Sequence, residues 1–148
     1  MMRPSAACGA PARAHLRSTH SILVVEDDPT SRRLLASLLV EMGYDVTSAA
    51  GGEEALRYLY SEQTCDAVIS DMIMPGMSGI ELAARARDAR PGLPVVFVTG
   101  KPDALELSIR VGSLALCKPV TRERLDGILQ DALESHTNAV RKPLALRE

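Results

Sequence analysis

Apolar residues along this chain fall in short runs that alternate with stretches of helical spacing. Ile22–Glu26 is an apolar run that ends in acid. Asp28-Pro29 then has the form of a helix start, with Asp28 as N-cap and Pro29 at the first helical position. Leu34, Leu35, Leu38, Leu39 and Met42 recur on one helical face, which reads as core, and Gly43 stands where that helix would stop. Tyr44–Ala49 alternates as a second strand, and Glu53–Ser61 is a predicted helix carrying Ala55, Leu56 and Leu59. Asp66–Ser70 is a third strand, delivering Asp71 at its C-terminal end. Beyond the Pro75-Gly76 turn, Ser78 and Glu81 have the spacing of a capping box for a third helix. Pro94–Val98 is almost wholly apolar, as a strand buried on both faces should be. A helix over Asp103–Val111, a strand over Leu114–Leu116 and a helix over Thr121–Ser135 complete the series. The last helix carries Leu125, Ile128, Leu129, Ala132 and Leu133.

Strand–helix units in this rhythm predict a single α/β domain: a doubly wound parallel sheet with right-handed crossovers and helices on both faces. The strand order 2-1-3-4-5 suits a chain of this kind, and ligands in such sheets sit beyond the C-terminal strand ends, where strands 1 and 3 meet. Polar groups stand at those ends. Strand 1 ends in Glu26 and Asp27, strand 3 in Asp71 and strand 4 in Thr99, while Lys118-Pro119 follows strand 5. Carboxylates brought close together repel unless a cation or a proton intervenes. A hard divalent cation with oxygen ligands resolves this, and Mg²⁺ prefers a few carboxylates plus waters and a phosphate. A lysine and a hydroxyl opposite the acids supply donors for phosphoryl oxygens. The rim holds no Ser-His pair, no Cys-His pair and no histidine. Such a set describes phosphoryl transfer. Taken singly, Asp71 could be a turn residue, Glu26-Asp27 or Thr99 could begin helices, and Lys118 could be a solvated surface lysine.

Length and charge narrow the picture further. The 148 residues suit one domain, and a 46% hydrophobic share can fill one core. A net charge of −2 gives no electrostatic reason to expect nucleic acid or an anionic membrane as partner. No apolar run approaches the ~20 residues of a membrane span. Residues 1–20 lack both periodicity and an apolar signal core, and read as a disordered leader or as the product of an over-long start. The folded domain is expected over 21–136, with a tail over 137–148 too short for an output domain. Cys8, Cys65 and Cys117 lack metal-ligand spacing and read as reduced thiols of a cytoplasmic protein. His15, His20 and His136 lie in tails or at a helix end.

Four segments give the strand ends a family likeness. Ile-Leu-Val-Val-Glu-Asp-Asp-Pro, Ser-Asp-Met-Ile-Met-Pro-Gly-Met-Ser-Gly, Val-Thr-Gly and Cys-Lys-Pro, in that order, resemble the signature segments of response regulator receiver domains of two-component systems. The resemblance covers about residues 21–135 and is nearest to single-domain receivers of the chemotaxis-regulator kind. It implies a flavodoxin-like fold in which Asp71 is the phosphoacceptor, Thr99 the switch hydroxyl and Lys118 the phosphate-binding lysine. Asp27 would be a direct Mg²⁺ ligand, Glu26 would act through a bound water, and the backbone carbonyl of Ile73 would be a further ligand. Asp28 would point into the helix start, and the bond before Pro119 would be cis. The implied role is a stand-alone phosphoacceptor and signalling switch, active only in its own phosphotransfer and dephosphorylation. The implied partners are a sensor histidine kinase or histidine phosphotransfer protein and a downstream protein target.

Two departures from the family pattern concern output. Ala115 stands where receivers usually carry Tyr or Phe, and the interval from Thr99 to Lys118 is tighter than usual, implying a shortened helix four or following loop. A third concerns lifetime: Ile73 and Lys101, two residues past Asp71 and Thr99, should flank the path of a hydrolytic water, which isoleucine cannot orient. Two rival functions stand beside this reading. One is a receiver-like interaction module that works without phosphate. The other is a Mg²⁺-dependent aspartyl phosphatase, which would want a second acid where Ile73 stands.

Overall fold

The computed structural model describes residues 20–110 and 112–141. The expected leader, apart from His20, and the end of the expected tail lie outside the described residues. The strands are β1 (Ser21–Val25), β2 (Asp45–Ala49), β3 (Ala67–Asp71), β4 (Val95–Thr99) and β5 (Leu114–Cys117). Between and after them run the helices α1 (Pro29–Glu41), α2 (Gly52–Leu59), α3 (Gly79–Ala89), α4 (Ala104–Arg110) and α5 (Arg122–Arg141). All pairings are parallel and the order across the sheet is β2-β1-β3-β4-β5. This is the doubly wound topology that the alternation of apolar runs predicts.

The pleat sorts each strand's side chains between two cores. Ile22 and Val24 of β1 join Ala67, Ile69, Val96, Val98 and Leu116 under α1 and α5, which contribute Leu39, Leu125, Leu129, Ala132 and Leu133. Leu23 and Val25 face the other way, with Val68, Val95 and Phe97, under α2 and α3. Every residue of β4 is buried, which is why its sequence carries no polar alternation. Among the described residues no helix is long and apolar enough to cross a membrane.

Local sequence accounts for most element boundaries. The Asp28 carboxylate accepts the Ser31 N–H at 2.8 Å and Pro29 opens α1, as their order predicts. Past the end of α1 the chain passes Gly43 at φ 99°, a left-handed conformation that suits glycine. Ser78 caps α3 by accepting the Glu81 N–H at 3.1 Å. The reciprocal half of the expected capping box is not made, because the Glu81 carboxylate turns to Arg85 at 2.9 Å instead. Two further expectations are corrected. α5 runs on to Arg141, past the expected end at Ser135. Leu34 is not core: it is 68% exposed, whereas Leu39 is fully buried and Leu35, Leu38 and Met42 pack partly against the core. At 3.6 residues per turn Leu34 and Leu39 are about 140° apart, so the leucine arc is wider than the strip the sheet can cover.

Candidate functional site

Parallel pairing puts the C-terminal ends of β1 and β3 side by side, with Val25 opposite Ser70, so Glu26 and Asp27 leave one strand beside Asp71 on the other. One carboxylate oxygen from each of Glu26, Asp27 and Asp71 lies within 4.8 Å of the others. Glu26 is buried, Asp71 half-buried and Asp27 exposed, so the cluster opens to solvent on one side. Lys118 reaches over from the loop after β5, its Nζ 3.4 Å from Glu26 Oε1 and 3.8 Å from Asp71 Oδ2. The Lys118–Pro119 bond is cis, as the family likeness implies.

Burial, together with the charge of Asp71, raises the Glu26 pKa above the usual carboxylate range, while the Asp28 N–H and the Lys118 ammonium pull it down. The Asp28 N–H donates to Glu26 Oε2 at 3.2 Å. Asp28 spends its own carboxylate on capping α1 and stays outside the cluster. Ile73 lies just past β3, with its side chain 54% exposed and its N–H donating to Asp71 Oδ1 at 3.3 Å.

Thr99, at the end of β4 and one step beyond the Asp71–Val98 pairing, is almost wholly buried. Its hydroxyl oxygen accepts the Lys101 N–H at 3.1 Å and makes no hydrogen bond to the acids among the described residues. The structure thus gathers Glu26, Asp27, Asp71 and Lys118 in one place, and sets Thr99 beside them without joining them.

Three residues that sequence reasoning passed over shape this site. Arg32 of α1 donates from Nη1 to the Glu26 carbonyl at 2.8 Å, with the Asp27 carbonyl at 3.5 Å, bracing the loop that carries both acids. Arg124 does the same for the segment around Lys118. Gly79 packs its bare Cα against the backbone at Asp71, and its N–H donates to the Met72 carbonyl at 2.9 Å. A Cβ at Gly79 would overlap the Asp71 carbonyl oxygen and stand 2.9 Å from the Met72 Cα. Glycine in the Met-Ser-Gly turn was the available signal for the last. The arginines gave none, since their partners are backbone carbonyls.

A family profile described as response regulator receiver domain matches residues 22–130, from β1 into α5. The chain belongs to the response regulator receiver domain family. This receiver domain is 37% identical over 139 residues to the transcriptional regulatory protein GlrR of Escherichia coli, covering 85% of this chain and 31% of that protein. It is 40% identical over 127 residues to the sensor histidine kinase RcsC of Salmonella typhimurium, covering 84% of this chain and 13% of that protein. The chain therefore spans a third or less of these curated relatives. Among solved structures it is similar to the response regulator protein TrrA of Thermotoga maritima in complex with Mg²⁺-BeF. That likeness has a TM-score of 0.70 and 32% identity, over 77% of this chain and 99% of the other.

The donor set is all oxygen, from carboxylates with no imidazole or thiolate among them, which fits a hard divalent cation and not a soft one.

Proposed function

We propose that this receiver domain accepts a phosphoryl group on Asp71 with Mg²⁺ in the acidic cluster, and signals through the resulting change of shape. The observation that carries the reading is the half-buried Asp71 carboxylate, clustered with Glu26 and Asp27 and with the Lys118 ammonium 3.8 Å away. Asp27, Glu26 (through a bound water), Asp71 and the Ile73 carbonyl would hold the Mg²⁺. When bound, the metal would offset negative charge on the Asp71 carboxylate and on the phosphoryl oxygens during transfer.

The chain's own residues do the rest. An Asp71 carboxylate oxygen forms the new P–O bond as the P–N bond of a partner phosphohistidine breaks, and the imidazole nitrogen leaves with the electron pair and takes up a proton. Lys118 is within reach of the arriving oxygens and exchanges its carboxylate contacts for them. The phosphoryl group brings about two negative charges at neutral pH, which attract the nearby Thr99 hydroxyl. To turn inward, that hydroxyl must give up the Lys101 N–H, which couples the event to the loop before α4. The protein is a phosphoacceptor with no external substrate.

The donor is a sensor histidine kinase or a histidine phosphotransfer protein, the reader of the phosphorylated form is another protein, and the setting is the cytoplasm. The surface beside the pocket supports a protein donor: Leu34, Leu35 and Leu38 of α1 line a groove with Lys118, Pro119 and Val120, and Leu34 is largely exposed. Leu34→Asp is expected to slow transfer from a phosphorylated protein donor about tenfold while leaving phosphorylation by acetyl phosphate unchanged. Parallel time courses with the two donors check this, and equal slowing with both would remove Leu34 from the docking surface.

Ile73 bears on the lifetime of the product. Its exposed aliphatic side chain beside Asp71 cannot orient an attacking water. The wild type should lose phosphate slowly, and Ile73→Asn several-fold faster. Decay of the labelled protein after removal of the donor measures both, and equal rates would defeat the idea.

The reading as a whole is tested by incubating the protein with an autophosphorylated histidine kinase and Mg²⁺. Label should move to Asp71 as an acid-stable, base-labile acyl phosphate, and label retained on every donor tried would contradict it. The phosphate-independent module remains as a second reading because Ala115, half-buried on β5, cannot couple to Thr99 as an aromatic ring would. Partner binding indifferent to phosphorylation would favour it.

A further inference from the structure

The Lys118 ammonium sits at the tip of a flexible four-carbon stem and is 36% exposed, so where it points depends on the backbone from which it springs. That backbone is held from both sides. The Lys118 N–H donates to the Thr99 carbonyl at 2.7 Å, which ties the residue to the end of β4. From the other side, Arg124 in the first turn of α5 donates from Nη1 to the Cys117 carbonyl at 3.1 Å and to the Pro119 carbonyl at 3.0 Å. These are the carbonyls immediately before and after Lys118.

Arg124 is itself well anchored. Its N–H is capped by the Thr121 hydroxyl oxygen at 3.2 Å, and its neighbour Leu125 is fully buried in the core beneath α5. The guanidinium therefore ties the start of α5 to the carbonyls of the two residues on either side of Lys118. Both bonds leave the same nitrogen, Nη1, which stands one bond farther from the backbone than a lysine ammonium would.

We propose that Arg124 is a positioning residue for Lys118: by fixing the two carbonyls that flank the lysine, it holds the ammonium where an incoming phosphoryl group needs it. The inference rests on the phosphoacceptor reading and adds to it a residue outside the pocket. Arg124 makes no hydrogen bond to Glu26 or Asp71, so its effect on the pocket passes through the backbone around Lys118. Its hydrogen bonds are exposed to solvent, so their loss is expected to change stability little. Placement can thus be separated from folding.

The test is a double-mutant cycle on the full chain, using acetyl phosphate as donor at saturating Mg²⁺. Arg124→Ala should lower the second-order rate of phosphorylation about fivefold, since small misplacements of a charge-stabilising group are costly. Arg124→Lys should fall between the alanine variant and the wild type. Mg²⁺ affinity should be unchanged within about twofold, because Arg124 makes no hydrogen bond to any of the residues that would hold the metal. In a Lys118→Ala background, Arg124→Ala should slow phosphorylation no further. An Arg124→Ala rate equal to the wild type's overturns the proposal, and so does an equal slowing in both backgrounds, which marks a general structural effect. Should Arg124→Ala fold poorly, Arg124→Lys and its double variant with Lys118→Ala carry the same comparison. A wild type that takes up no phosphate from any donor sinks the phosphoacceptor reading and this proposal with it. A wild type that is labelled beside an unaffected Arg124→Ala sinks this proposal only.

Discussion

Asp71→Asn is expected to abolish phosphate uptake from every donor while leaving the fold intact. The change is nearly isosteric at a half-buried strand end, and it removes the nucleophilic oxygen without opening a cavity. It also removes one of the negative charges that the structure crowds together. Asp71 helps to raise the pKa of the buried Glu26, so the variant should relieve that repulsion, and the metal-free Tm should equal or slightly exceed that of the wild type. The Lys118–Asp71 ion pair that the variant gives up is 3.8 Å long and part-exposed, which limits what its removal costs. Mg²⁺ should behave in the opposite way. A cation that binds only the native state raises Tm, and the variant, short of one carboxylate ligand, should show a much smaller rise. Thermal melts of both proteins with and without Mg²⁺, beside phosphorylation assays, check the set. A melting curve that collapses on Asp71→Asn would mean that the aspartate is structural first.

Gly79→Ala should have the largest effect on stability of any single methyl added near the pocket. The added Cβ would meet main-chain atoms of Asp71 and Met72, which cannot move aside without shifting the end of β3. Overpacking against backbone of this kind costs about 3 kcal/mol. The same shift would displace the Asp71 carboxylate, so phosphorylation should slow at least roughly tenfold in whatever fraction folds. Gly52→Ala is the matched control. There the three atoms nearest the new Cβ all belong to the Met77 side chain and none to the main chain, so the cost should be smaller. Chemical denaturation of the two variants gives the comparison, and similar losses at both positions would contradict the assignment of Gly79 to the support of Asp71.

The contrast between these glycines bears on what a sequence discloses. The central strands β1, β3 and β4 were legible because each is a short apolar run buried on both faces, and the site was legible because polar residues interrupt those runs at the same end each time. Parallel pairing then forces Glu26, Asp27, Asp71, Thr99 and Lys118 to one rim. What stayed hidden depends on distances between elements. Helical spacing places Leu34 with the other leucines, and only the width of the sheet beneath α1 leaves it in solvent. The Ser78 and Glu81 pattern permits a capping box, yet Arg85 one turn on competes for the same carboxylate. α5 runs on past Ser135 to Arg141, beyond the stretch whose apolar spacing announces it. Arg32 and Arg124 act on carbonyls, which every residue has, so no pattern of side chains announces them.

Intact-protein mass spectrometry after exposure to acetyl phosphate, once with Mg²⁺ and once with a chelator, puts the proposed chemistry to its most direct test. A gain of one phosphoryl group should appear only with the metal, and peptide mapping should place it on Asp71. No gain with Mg²⁺ present, or an equal gain in the chelator, would contradict a cation-dependent phosphoacceptor built from these strand ends.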